Sequence, residues 1–160
     1  MGQFYFSIYE IAAMAMDIEE TGAQFYASLA GATQDEALIK IFLTLSSAES
    51  QHKKTFQDIA ASFQKGDRIE YSVNLPALIQ ANIDKIKEAA FSLALPPKGP
   101  LDIRKALAIA IHTEEVSIRV YTDMADIFAA RFREIIDSLI QEEQKHLAIL
   151  NKIRQDFAGE

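Results

Sequence analysis

Two Glu-x-x-His pairs, Glu49/His52 and Glu143/His146, recur 94 residues apart in a chain of 160 residues. On a helix, a spacing of three sets both side chains on one face, one above the other, where they can meet a single cation. Two further acids repeat in the same manner. Glu19 leads to Tyr26 in "IEETGAQFY" and Glu114 leads to Tyr121 in "TEEVSIRVY", each Tyr seven residues after its Glu. All these residues fall on the apolar stripe of a helix period, not on its polar side. Glu19 lies in register with Ala12, Ala15, Gly22, Tyr26 and Ala30, and Glu114 with Leu107, Ile111, Ser117, Tyr121 and Met124. The Glu49/His52 pair shares its stripe with Leu38, Ile41, Leu45, Phe56, Ile59 and Phe63. The Glu143/His146 pair shares its own with Ile136, Leu139, Leu150, Ile153 and Phe157.

Four carboxylates in a dry core are costly unless neutralised. Two divalent cations balance four carboxylates while both imidazoles stay neutral. One Glu from each of two helices and a Glu-x-x-His from each of the other two is the donor set of di-iron carboxylate bundles. Hard oxygen plus imidazole nitrogen suits Fe, Mn or Zn and disfavours Cu(I). The predicted ligands are therefore Glu19, Glu49, His52, Glu114, Glu143 and His146, holding two ions per chain. A lone Glu-x-x-His is commonly a solvated pair, and a buried Tyr is commonly packing. Joint register of all eight residues separates this pattern from both. Glu20 and Glu115 fall about 100° off the stripe by helix geometry, and His112 shares that outer side. Glu142 is set aside because the repeat with Glu49-x-x-His52 requires spacing three.

These residues need long helices to position them. Capping boxes at Ser7/Glu10 and Thr33/Glu36, with Gly31 as a stop, predict helices over 8–30 and 34–65. A short helix is expected after Asn74-Leu75-Pro76, fading before the loop "PPKGP" at 96–100. Asp102 then caps a third long helix, and a fourth runs to the C-terminus. Glu19 to Glu114 is a step of 95 residues and His52 to His146 one of 94, so a tight turn is expected within 126–131. The outcome is an all-α four-helix bundle in one domain, residues 1–160, with a long crossover carrying its own short helix.

The composition agrees: 49% hydrophobic and 24% charged residues, few glycines and prolines, and a length sufficient for a sizeable core. A net charge of −7 leaves no basic stripe for a phosphate backbone, so no nucleic acid partner is expected. With no Cys there are no disulfides, thiolate metal sites or Cys nucleophile. No apolar run is long enough for a membrane span, and the N-terminus lacks the basic region of a signal peptide. A cytoplasmic protein is expected.

The stretches "IEETGAQFYASLA", "AESQHKKTF", "TEEVSIRVYTDMA" and "QEEQKHLAIL" resemble, in order and spacing, the rubrerythrin branch of the ferritin-like superfamily. The resemblance implies a ferritin-like fold and iron at the six ligands above, with Tyr26 and Tyr121 beside the site. Two departures stand out. Rubrerythrins proper end in a Cys₄ iron domain, and they carry a further ligand Glu where this chain has Ser117. The match is therefore to the short, stand-alone rubrerythrin-like proteins. The implied function is redox chemistry with peroxide or O₂ at a non-haem di-iron site, fed by an external electron donor. The alternatives are ferroxidation or iron buffering, and an interaction or sensor module with a structural metal. The apolar "QFYFSIY" and "AAFSLAL" segments, together with the resemblance, predict a homodimer.

Overall fold

Each of the four stripes becomes the inward face of a long helix. The computed structural model describes residues 4–63, 68–71, 84, 102–127 and 129–158. In chain order these form β1 (Phe4–Ser7), α1 (Ile8–Ala32), α2 (Glu36–Ala61), β2 (Arg68–Tyr71), α3 (Ile103–Ile127) and α4 (Ala129–Ala158). Packing is closest within the pairs α1/α2 and α3/α4, so the bundle consists of two helical hairpins. Helix α3 ends at Ile127 and α4 begins at Ala129, both within the expected turn. The expected crossover helix and the 96–100 loop lie outside the described residues, Asp84 apart.

Local chemistry sets the helix ends. The cap of α2 is Asp35, not Thr33: its Oδ1 accepts from Ala37 N at 2.8 Å and Leu38 N at 3.1 Å. A carboxylate there satisfies two of the free N–H groups that open a helix. Thr33 Oγ1 instead accepts from Asp35 N at 3.2 Å and braces the cap. Gly31 does not stop α1, which continues through Ala32. The second helix closes at Ala61, earlier than expected, with Ser62 Oγ donating to Ile59 O at 2.6 Å. Asp102 caps α3 as predicted, its Oδ1 accepting from Lys105 N at 3.1 Å.

The ribbon was not foreseen. Strands β1 and β2 pair antiparallel, Phe4 opposite Tyr71 and Ser7 opposite Arg68. In an antiparallel hairpin the chain entering α1 and the chain leaving α2 emerge at the same end, so these flanks can meet. Aromatic and β-branched residues favour the pairing. Ser7, expected to cap α1, is the last residue of β1, and its side chain lies outside those described.

The interior divides into two apolar clusters. One gathers Ile11, Ile18, Phe56, Ile59, Tyr121 and Ile136 among others. The second gathers Phe25, Tyr26, Phe42, Leu107, Leu150 and Ile153 among others. Phe42 is buried where the sequence placed Ile41, which is only half-buried. The acids and histidines form a polar layer within this apolar packing, and each cluster contributes one tyrosine to it.

Candidate metal centre

Glu19, Glu49, His52, Glu114, Glu143 and His146 are all buried, although each is a residue type that prefers water. The four helices bring them together in two groups: Glu19, Glu49, His52 and Glu143, and Glu49, Glu114, Glu143 and His146. In each group one donor atom per residue lies within 4.8 Å of the others. Glu49 and Glu143 belong to both groups and share out their oxygens. Glu143 turns Oε1 to His52 Nδ1 at 2.9 Å and Oε2 to His146 Nδ1 at 3.0 Å. Glu49 turns Oε2 to His52 Nδ1 at 3.7 Å and Oε1 to His146 Nδ1 at 3.5 Å. The outer positions go to Glu19, at 3.6 Å from His52 Nδ1, and Glu114, at 3.9 Å from His146 Nδ1.

Glu19 Oε2, His52 Nδ1 and Glu143 Oε1 are buried without a hydrogen-bond partner among the described residues. The 2.9 Å approach of His52 Nδ1 to Glu143 Oε1 is thus a close electrostatic contact without the alignment of a hydrogen bond. Bonds of about 2.1 Å to one cation set neighbouring donor atoms about 3.0–3.5 Å apart. The observed spacings lie close to that range, so the orphaned atoms fit the ligands of a cation. The donor set suits Fe, Mn or Zn.

Electrostatics within the protein alone tell the same story. Burial, reinforced by Glu49 and Glu143, pushes the Glu19 carboxyl well above the usual carboxylate range. Burial and the same two acids do likewise for Glu114. Burial also works against ionising Glu49, but the polar contacts with Glu19, His146 and His52 outweigh it and hold Glu49 at about 2. Glu143 is held low as well: burial and Glu49 oppose this, while His146, His52 and Glu114 prevail. Burial disfavours both imidazolium ions, yet Glu143 and the acids around it raise His52 well above an ordinary imidazole. Glu143 and Glu49 raise His146 to about 9. The shifts thus favour protons on Glu19, Glu114 and both imidazoles, and the ionised form of Glu49 and Glu143.

The tyrosines tie the hairpins across the layer. Tyr26 of α1 donates its hydroxyl to Glu114 Oε1 of α3, and Tyr121 of α3 donates to Glu19 Oε1 of α1. Burial and the surrounding acids push both phenols up, so they act as donors. Each bond occupies one carboxylate oxygen and leaves the second free to face the layer. Gly22 of α1 faces the Glu49 side chain of α2, where a Cβ would come into van der Waals contact with Glu49 Cγ at 3.4 Å. The two imidazole rings stack, with centroids 5.7 Å apart.

Residues set aside on sequence grounds fall outside the cluster. His112 and Glu115 are exposed, and Glu20 pairs with Lys53 at 2.6 Å. Glu142 also supplies no donor to either group, but its Oε2 lies 2.8 Å from His52 Nε2. Sequence reasoning missed that contact. The available signal was adjacency: neighbours on a helix diverge by about 100°, so a residue beside a core ligand can reach around the rim. A surface cavity of about 320 Å³ between α2 and α4 opens onto His52 and Glu142.

The family model described as rubrerythrin matches residues 10–154. The fold is similar to the crystal structure of a proposed ferritin-like diiron-carboxylate protein from Thermotoga maritima. That similarity has a TM-score of 0.70 at 20% identity, over 94% of this chain and 96% of that one. At such identity the likeness bears on the fold alone. No curated protein matches.

Proposed function

Because this chain belongs to the rubrerythrin family, we propose that it is a non-haem di-iron protein that reduces peroxide or O₂. The observation that carries the reading is the pair of buried donor groups sharing Glu49 and Glu143, with orphaned atoms among them. Glu19 and His52 would hold one iron, Glu114 and His146 the other, and Glu49 and Glu143 both. Iron held there supplies electrons to the oxidant. The protein's own residues set the conditions: Tyr26 and Tyr121 hold protons beside Glu114 and Glu19, and the six donor residues are themselves buried. Ser117, buried on the Glu114 face, is too short to act as the further carboxylate ligand of rubrerythrins and leaves room on that side.

No thiolate is present among these 160 residues, so the reading includes an electron donor outside them, as well as a homodimer in solution. Among the described residues no helix is long and apolar enough to cross a membrane. The test is to load the chain anaerobically with Fe(II), add hydrogen peroxide in steps, and follow peroxide consumption with the optical spectrum. Peroxide should be consumed in proportion to bound iron, and a reductant should restore the starting spectrum. Bound iron that ignores peroxide would contradict the reading and leave the metal a structural role.

A further inference from the structure

The two halves of the centre repeat each other with one exception. The 94-residue step that carries Glu49 onto Glu143 and His52 onto His146 carries Ala48 onto Glu142. His52 therefore has a carboxylate against its outer nitrogen, Nε2 to Glu142 Oε2 at 2.8 Å. Its counterpart on the other side is a methyl group, and among the described residues nothing bonds the outer nitrogen of His146. The asymmetry continues inward. All three orphaned atoms, Glu19 Oε2, His52 Nδ1 and Glu143 Oε1, belong to the donor group that contains His52. His146 Nδ1, by contrast, is hydrogen-bonded to Glu143 Oε2 at 3.0 Å.

An imidazole has one lone pair to give a cation, and the nitrogen that keeps its proton decides which way that pair points. A carboxylate at Nε2 fixes the proton there and frees Nδ1 to face Glu19, Glu49 and Glu143. We propose that Glu142 is a positioning residue for His52 and makes the two metal positions unequal, the His52 position binding more tightly and filling first. The His146 position, with no such anchor among the described residues, takes the second ion less tightly. The neighbouring residues Glu142 and Glu143 thus divide their work: Glu143 faces both donor groups, and Glu142 reaches around the rim of α4 to set the ring that completes one of them. Outer hydrogen-bond partners of this type commonly change metal affinity by about 10–100-fold. This inference rests on the dimetal reading above, and the test separates the two.

The test is competitive titration of the metal-free full-length chain with Zn(II) against a chromogenic chelator, for the wild type, Glu142→Ala and Glu142→Gln. The wild type should take up two ions with separated affinities. Glu142→Ala should weaken the tighter by about 10–100-fold and the looser by less than about threefold, drawing the two together. Glu142→Gln should retain most of the difference, because its amide oxygen still accepts the Nε2–H. In the Zn(II)-loaded protein, NMR should show the His52 Nε2–H protected from exchange in the wild type and in Glu142→Gln, and exposed in Glu142→Ala. A purely structural role would lower stability without moving that proton. Two ions bound in Glu142→Ala with unchanged affinities, or both weakened alike, would overturn the role of Glu142 and spare the dimetal reading. No uptake of Zn(II) by the wild type would end both.

Discussion

At the scale of single residues, charge balance governs the centre. Burial favours the protonated form of Glu19 and Glu114, and the surrounding acids favour both imidazolium ions, while Glu49 and Glu143 are shifted toward the ionised form. Two divalent cations bound there would bring the same positive charge as two carboxyl and two imidazolium protons. Loading near pH 7 should therefore release up to four protons per chain, and affinity should fall as pH falls, because protons then compete more strongly. Above about 9 the release should drop, since His146 has by then lost its proton unaided. Calorimetry in buffers of different ionisation enthalpy measures the number, and no release at pH 7 would mean that the acids are not buried together. Tyr121→Phe removes the donor to Glu19 and leaves a buried oxygen unpaired, at a cost of about 1–3 kcal/mol in chemical denaturation of the metal-free protein. A loss under a few tenths of that would contradict the bond. The six donors were legible in the sequence because each occupies an apolar stripe, where an acid or imidazole needs a reason. Glu142 was not, because it is a half-exposed acid on a helix rim, and its partner lies 90 residues away.

At the scale of elements, the helices serve as rulers that hold the donors in register. Their inward stripes were legible because a 3.6-residue period exposes any polar intruder. Their ends were read less well. Thr33 with Glu36 spells a capping box, yet Asp35, two residues further on, presents a carboxylate to the same free N–H groups and takes the role. Asp35→Ala should cost about 1 kcal/mol, within the 0.5–2 kcal/mol range of such caps, and Thr33→Ala should cost less. The reverse order in urea denaturation would restore Thr33 as the cap. The β1–β2 ribbon was illegible for a different reason. Two four-residue segments 61 positions apart, from Ser7 to Arg68, become neighbours only once the α1/α2 hairpin exists. Nothing periodic in either segment announces that partner.

At the scale of the whole molecule, burying a polar layer inside the bundle costs stability that apolar packing would have supplied. The sign of the pH dependence follows from the shifts. His146 is raised to about 9, so its contribution is complete below the unfolded value near 6.5 and disappears as pH rises through about 9. Glu19 and Glu114, also raised, act in the same direction. Thermal unfolding of the metal-free chain should therefore move to lower temperature between pH 6 and 9, and metal should raise the midpoint most at the alkaline end. A midpoint of the metal-free chain that rises over that window would contradict these assignments. Light scattering at micromolar concentration should give twice the 17.9 kDa of one chain, and a monomer mass would remove the dimer from the proposal. The account as a whole stands on the six donors acting together. Its most direct test is metal stoichiometry after Fe(II) reconstitution and desalting, in the wild type, His52→Ala, Glu114→Ala and the exposed control Glu115→Ala. Two irons per chain in the wild type and the control, with a sharp loss in His52→Ala and Glu114→Ala, is the predicted result. Full occupancy in those two variants, or none in the wild type, would contradict it.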